Sequence, residues 1–144
     1  MKKIAVSACL LGDNVRYDGT NKLNEELINV INETNIIKIC PESIFNNPHL
    51  PIENKNNRSY MKDKSDVTDI LRKSCLDVFD RIKDCDFVIL KSKSPTCGHN
   101  YIYDGNFNGT LIEGDGVLCK LLLENNIKVY TELDIDKIKK ELIA

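Results

Sequence analysis

The chain has 144 residues, a formal net charge of −2, 29% charged and 42% hydrophobic residues, which is the balance of one ordinary globular domain able to bury a sizeable core. No basic footprint argues for a nucleic-acid polymer, and no apolar run approaches the roughly 18 residues of a membrane helix. The lysine-led N-terminus reaches Gly12, Asp13 and Arg16 too soon for a signal peptide, so residues 1–144 are read as a single cytoplasmic domain.

Residues 3–8 are a short apolar run and predict a buried strand. Leu27, Ile28 and Ile31 recur at helical spacing after Asn21 and Asn24, which predicts a helix over 24–33. A β-branched run over 36–39 ends at Cys40. Residues 41–64 are polar, carry Pro48 and Pro51, and read as a structureless loop; a loop that long inside a compact domain usually has a function. Asp66 is placed to cap a helix over 67–83, with Ile70, Leu71, Cys75, Val78, Phe79 and Ile82 on one face. Residues 86–91 hold a third buried strand, and 92–100 form a loop. The pairs Asp104-Gly105 and Asn108-Gly109 predict a hairpin-like excursion over 101–112. Gly116 precedes a helix over 117–124, residues 127–130 are a fourth strand, and Asp134 is placed to cap a last helix ending near Ile143.

This alternation predicts an α/β fold: a single three-layer domain with a mostly parallel sheet of about four strands, order 2-1-3-4, and helices on both faces. In such sheets ligands bind beyond the carboxyl ends of the strands, where the strand order reverses. Cys9 follows strand 1, Cys40 follows strand 2, and Cys97 lies in the loop after strand 3. Cys75 and Cys119 fall inside helices, and Cys85 sits at a helix–strand junction. In a reducing compartment none is expected in a structural disulfide.

Two readings of the loop cysteines stand side by side. A free cysteine is commonly a small core residue, which suits Cys75 and Cys119. Cys40 precedes Pro41, and Cys97 lies between Pro95 and Gly98; a rigid residue and a bare one favour a bulky inorganic group instead. Structural zinc prefers four ligands, usually with CxxC pairs, and no CxxC occurs. His49 and His99 are available to complete a zinc site, although a lone loop histidine is more often a surface residue. Thiolate-only ligation with one position unfilled suits an iron–sulfur cluster.

The runs Ser7-Ala8-Cys9-Leu10-Leu11-Gly12, Val15-Arg16-Tyr17-Asp18-Gly19, Cys40-Pro41-Glu42, Ser94-Pro95-Thr96-Cys97-Gly98 and Ile102-Tyr103-Asp104-Gly105 together resemble the bacterial 2-thiouracil desulfidase family, first catalogued as a domain of unknown function. Asp66-Val67-Thr68 and Gly114-Asp115-Gly116-Val117 extend the likeness over nearly the whole chain. The resemblance implies an oxygen-sensitive [4Fe–4S] cluster on Cys9, Cys40 and Cys97. It also implies that Glu42 and Ser94 serve the chemistry. One stretch departs from the family. Where a glycine- and proline-rich segment with an arginine is usual, this chain reads Ile44-Phe45-Asn46-Asn47-Pro48-His49-Leu50-Pro51. The ligand positions are intact, but this segment borders the expected pocket.

The expected reaction is hydrolytic: a small thiolated substrate, 2-thiouracil or a related thioamide, exchanges C=S for C=O with no net redox change. Glu42 is the expected water-activating or proton-shuttling group. Ser94 is expected to hydrogen-bond the substrate or the departing sulfide. Arg16 and Asp18 either orient the pyrimidine edge or pair with each other. Two other functions compete: a cysteine-based sulfurtransferase or thiol redox protein, which needs a low-pKa thiolate, and a non-catalytic metal-binding module.

Overall fold

The computed structural model describes residues 2–45 and 48–143. Asn46 and Asn47, within the divergent segment 44–51, lie outside the described residues. Four parallel strands form the main sheet: β1 (Lys3–Ser7), β2 (Asn35–Ile39), β5 (Phe87–Leu90) and β8 (Val129–Thr131), in the order β2-β1-β5-β8. These are the four predicted core strands in the predicted order. Their numbers differ only because two hairpins fall between them, β3 (Ile52–Lys55) with β4 (Arg58–Met61) and β6 (Tyr101–Tyr103) with β7 (Leu111–Glu113).

The helices are α1 (Glu25–Val30), α2 (Thr68–Ile82), α3 (Val117–Glu124) and α4 (Ile135–Ile143). Side chains alternate along a strand, and the core divides accordingly. Ala5, Ile39, Val88 and Leu90 pack with Leu71, Cys75, Val78 and Ile82 of α2 and Leu118, Cys119 and Leu122 of α3. Ile4, Val6, Phe87 and Ile89 pack with Leu27 of α1, Ile31 and Ile138 of α4. The central strands β1 and β5 are buried nearly throughout, whereas β2 is largely exposed, as an edge strand is.

Several local expectations are corrected. Residues 41–64 are not structureless. They begin with a 3-10 turn (Pro41–Ile44) and continue into the β3–β4 hairpin. Asn56 and Asn57 both have positive φ (52° and 62°), the backbone of a tight two-residue hairpin turn that asparagine tolerates. The proline-flanked polar composition masked that signal. Ile70 is 52% exposed, because it stands about 100° around α2 from Leu71, which leads the buried stripe. The residue opening α2 is Val67, without a side-chain cap; Asp66, one position earlier, accepts the Thr68 N–H at 2.9 Å and pairs with Arg58 at 2.6 Å. Asp134 does stand immediately before α4, and its carboxylate accepts the Thr131 N–H at 3.0 Å.

The chain goes from β1 outward to β2, then crosses back past β1 to β5 and on to β8. The reversal therefore falls between β1 and β5, and the segments following β1, β2 and β5 emerge together at the carboxyl edge.

Candidate active site

Each loop at this edge is shaped locally. After β1 the chain turns at once into a 3-10 turn (Ala8–Leu11), closed by Gly12 at φ +96°, so Cys9 stays at the strand end. Cys40 ends β2 in extended backbone and opens the Pro41–Ile44 turn, and its Sγ lies 3.9 Å from the Val15 carbonyl oxygen. After β5, Ser94 closes the third loop: its Oγ accepts the N–H groups of Thr96 and Cys97, both at 3.1 Å. That loop rests on the N-terminus of α3. The carbonyls of Pro95 and Thr96 accept the N–H groups of Val117 (3.0 Å) and Leu118 (2.8 Å), and the Gly98 carbonyl accepts that of Gly116 (2.7 Å). Helix donors left unpaired by the helix itself are thus used to fix the Cys97 backbone.

The three cysteines line one cavity of about 480 Å³ together with Glu42, Ser94, Arg16, Lys91, Tyr17, Tyr103 and Phe107, among others. All six thiols in the chain are free. Burial is the main cause that raises the pKa of each cavity thiol: Cys40 is pushed up to about 11, and Cys9 and Cys97 also lie above the ordinary value. Lys91 and Arg16 oppose the shift at Cys9, and a hydrogen bond with Ser7 opposes it at Cys97. No histidine lines this cavity. The donor set is three thiols, one short of structural zinc's four ligands, and it fits an iron–sulfur cluster with one iron left without a cysteine.

Glu42 is mostly buried, with 18% of its side chain exposed. Burial raises its pKa, opposed by the Thr96 hydroxyl, which donates to Oε2 at 2.9 Å, and then by His49. His49 belongs to the divergent segment. Its backbone N–H donates to the Tyr17 carbonyl, which ties that segment to the Arg16 loop. Its ring packs against Phe45 and Tyr17 with only 7% of the side chain exposed. Nδ1 lies 2.7 Å from the Leu50 carbonyl, which can only accept, so Nδ1 carries the hydrogen. Nε2 then faces Glu42 Oε1 at 3.8 Å and has no hydrogen-bond partner among the described residues.

The predicted site residues therefore divide. Cys9, Cys40, Cys97, Glu42, Ser94 and Arg16 line the same cavity; Asp18 does not. Asp18 is exposed and closes a turn by accepting the Thr20 N–H and hydroxyl. No ion pair joins it to Arg16, whose guanidinium lies 5.6 Å from the Tyr17 ring centre. Sequence reasoning missed Lys91 and Glu132. Glu132 follows β8, and its carboxylate accepts the Ser92 N–H (2.8 Å), the Ser92 hydroxyl (2.9 Å) and the Lys91 ammonium (3.2 Å). Position alone was the available signal, since Lys91 is the last residue of the third predicted strand and directly follows β5. Glu53 also lines the cavity; its Oε1 accepts the N–H groups of Gly105 (3.0 Å) and Phe107 (3.1 Å) and so holds Phe107 there.

Fold and cavity define an α/β protein that gathers three thiols, two carboxylates (Glu42 and Glu53) and several cationic side chains, Arg16 and Lys91 among them, at the switch point of a parallel sheet. Residues 4–134 match the family described as 2-thiouracil desulfurase, and the chain belongs to that family. It is 30% identical to YbbK of Bacillus subtilis (strain 168), described as an uncharacterized protein, over 94% of this chain and 99% of that one. Among solved structures it resembles the [4Fe-4S]-dependent thiouracil desulfidase TudS, with a TM-score of 0.86 and 32% identity over 99% of this chain and 98% of that one.

Proposed function

We propose that this chain is a [4Fe–4S]-dependent desulfidase that removes sulfur from 2-thiouracil or a closely related thiolated pyrimidine. The observation that carries the reading is the meeting of Cys9, Cys40 and Cys97 with Glu42 in one cavity. Family membership supports the substrate class, and the fold match to a desulfidase that depends on a [4Fe-4S] cluster supports the cofactor. Cys9, Cys40 and Cys97 would hold the cluster, whose uncapped iron supplies a thiophilic Lewis acid.

The protein's own groups supply the rest. The reaction is hydrolysis: water oxygen bonds to the thiocarbonyl carbon, the C–S bond breaks, and the products are the C=O compound and hydrogen sulfide. No electron donor enters. Glu42 takes a proton from the attacking water and returns it as sulfur departs. Its raised pKa suits a group that must both accept and donate. Thr96 occupies Oε2 and so leaves Oε1 for proton transfer. Ser94 acts through the backbone of Thr96 and Cys97, Arg16 offers donors to the polar edge of a pyrimidine, and Lys91, whose ammonium is held by Ser92 and Glu132, adds positive charge to the cavity. Asp18 orients the substrate only if its turn moves inward. The working unit is the whole of 1–144, acting in a reducing cytoplasm where an oxygen-sensitive cluster survives. Among the described residues, no helix is long and apolar enough to cross a membrane.

A cysteine nucleophile is disfavoured by the raised pKa of every cavity thiol. The test is anaerobic reconstitution with iron and sulfide, followed by incubation with 2-thiouracil. Stoichiometric uracil and hydrogen sulfide without added reductant are expected. A fully loaded protein that turns over no thiolated pyrimidine would overturn the proposal.

A further inference from the structure

His99, Asp115 and Cys119 lie outside the three-cysteine cavity. Their donor atoms nevertheless converge: His99 Nδ1 to Asp115 Oδ1 is 2.8 Å, Cys119 Sγ to Nδ1 is 3.5 Å, and Sγ to Oδ1 is 3.7 Å. We propose that these three side chains form a second, mononuclear site for a thiophilic divalent cation, zinc foremost.

The geometry is the first support. Ordinary zinc bond lengths at tetrahedral angles place sulfur about 3.6 Å from nitrogen or oxygen, and nitrogen about 3.4 Å from oxygen. Both sulfur distances already match. The nitrogen–oxygen distance is shorter because a hydrogen bond spans it, and a cation taking that hydrogen's place widens it. Donor chemistry is the second support: one thiolate, one imidazole and one carboxylate suit zinc and exclude magnesium or calcium. With both Cys119 and Asp115 anionic, a divalent ion leaves the site neutral. Cys119 gives up its proton to solvent on binding, and the hydrogen that His99 Nδ1 donates to Asp115 is replaced by one on Nε2, a change of tautomer that frees the Nδ1 lone pair.

The frame is fixed by structure already present. Asp115 stands two residues before α3 and Cys119 lies in its first turn, and the turn at Gly116 brings the two side chains to 3.7 Å. Asp115 Oδ1 is also held by the Asn100 N–H at 2.9 Å. Cys119 is fully buried and forms the floor, whereas His99 and Asp115 keep 22% and 28% of their side chains exposed. The cation enters from that side, and the fourth position faces outward. Because His99 follows Cys97 by two residues, the ion clips the Cys97 loop to α3.

The test uses protein already reconstituted with iron and sulfide, so that the cavity thiols are occupied. It is incubated with zinc sulfate, desalted, and analysed for iron and zinc. Wild-type protein should retain one zinc per chain beyond its iron. Cys119→Ser and Asp115→Asn should bind at least about 100-fold more weakly, since even groups behind a ligand cost 10–100-fold, with unchanged iron. A second arm frees the test from the desulfidase proposal. The Cys9→Ala/Cys40→Ala/Cys97→Ala protein, titrated with cobalt(II), should show a thiolate-to-metal charge-transfer band that Cys119→Ser abolishes. No retained zinc in the loaded wild type, or equal zinc in Cys119→Ser, overturns the site. So does a cobalt spectrum without thiolate ligation in a folded triple variant.

Discussion

Glu42 sits two residues beyond Cys40, and a short 3-10 turn beginning at Pro41 brings its carboxylate into the cavity. There Thr96 fixes one oxygen and burial lifts the pKa. Glu42→Gln keeps the shape and the Thr96 contact but cannot accept a proton. The variant should retain its full iron and its affinity for 2-thiouracil. Turnover should fall by about 10²–10⁴, the range for a positioned acid–base group. Single-turnover kinetics beside an iron assay separate these effects; wild-type turnover in a fully loaded variant would remove Glu42 from the chemistry. At this scale the sequence was informative about the ligand cysteines, because proline and glycine beside Cys40 and Cys97 mark constrained backbone. It was silent on Thr96 and Glu132, which meet their partners across tens of residues, and on the inward turn of His49, which no local pattern of residues marks. Asp18 shows the converse: its place in a motif did not bring it to the cavity, because its carboxylate is spent on Thr20.

Among the elements, the Cys97 loop packs directly against the start of α3. A Cβ added at Gly116 would stand 2.4 Å from the Thr96 carbonyl carbon and 2.8 Å from the Cys97 nitrogen. Backbone cannot yield as a flexible side chain can. Gly116→Ala should therefore displace the loop, lowering iron retention and thermal stability together, as iron analysis and a melting curve would register. Full iron at the wild-type melting temperature would show that the loop tolerates the shift. The β4–α2 junction carries a pH dependence. Asp66 is held well below the usual carboxylate range, first by Arg58 and then by Thr68. A carboxylate whose folded pKa is depressed adds stability above its unfolded pKa, near 3.9, and loses it as pH falls through the folded value. Asp66→Asn should lower the melting temperature at neutral pH and have progressively less effect below about pH 4. A difference from wild type that stays constant across that window would contradict the assignment. The β3–β4 hairpin was legible only through Asn56-Asn57, a turn signal overridden by the surrounding prolines and polar residues. The helix over 117–124, bounded by Gly116 and Asn125, was read to the residue.

Across the whole molecule, the four core strands carried the most information. Short β-branched runs separated by helical periodicity are enough to give a parallel sheet, and the rule of right-handed crossovers then leaves few orders. The observed order β2-β1-β5-β8 puts the three cysteine-bearing loops beside one another, so the site follows from topology rather than from any contiguous motif. Cys75 and Cys119 obey the same logic in reverse, since helices bury them in the core and neither lines the cavity. The central claim, that Cys9, Cys40 and Cys97 and no other cysteines hold the cluster, is tested most directly by iron and sulfide content per chain. The measurement compares single alanine variants after anaerobic reconstitution. Cys9→Ala, Cys40→Ala and Cys97→Ala should each lose most of their iron, while Cys75→Ala and Cys119→Ala keep the wild-type amount. Full iron in Cys97→Ala, or an equal loss in Cys75→Ala, would contradict the account.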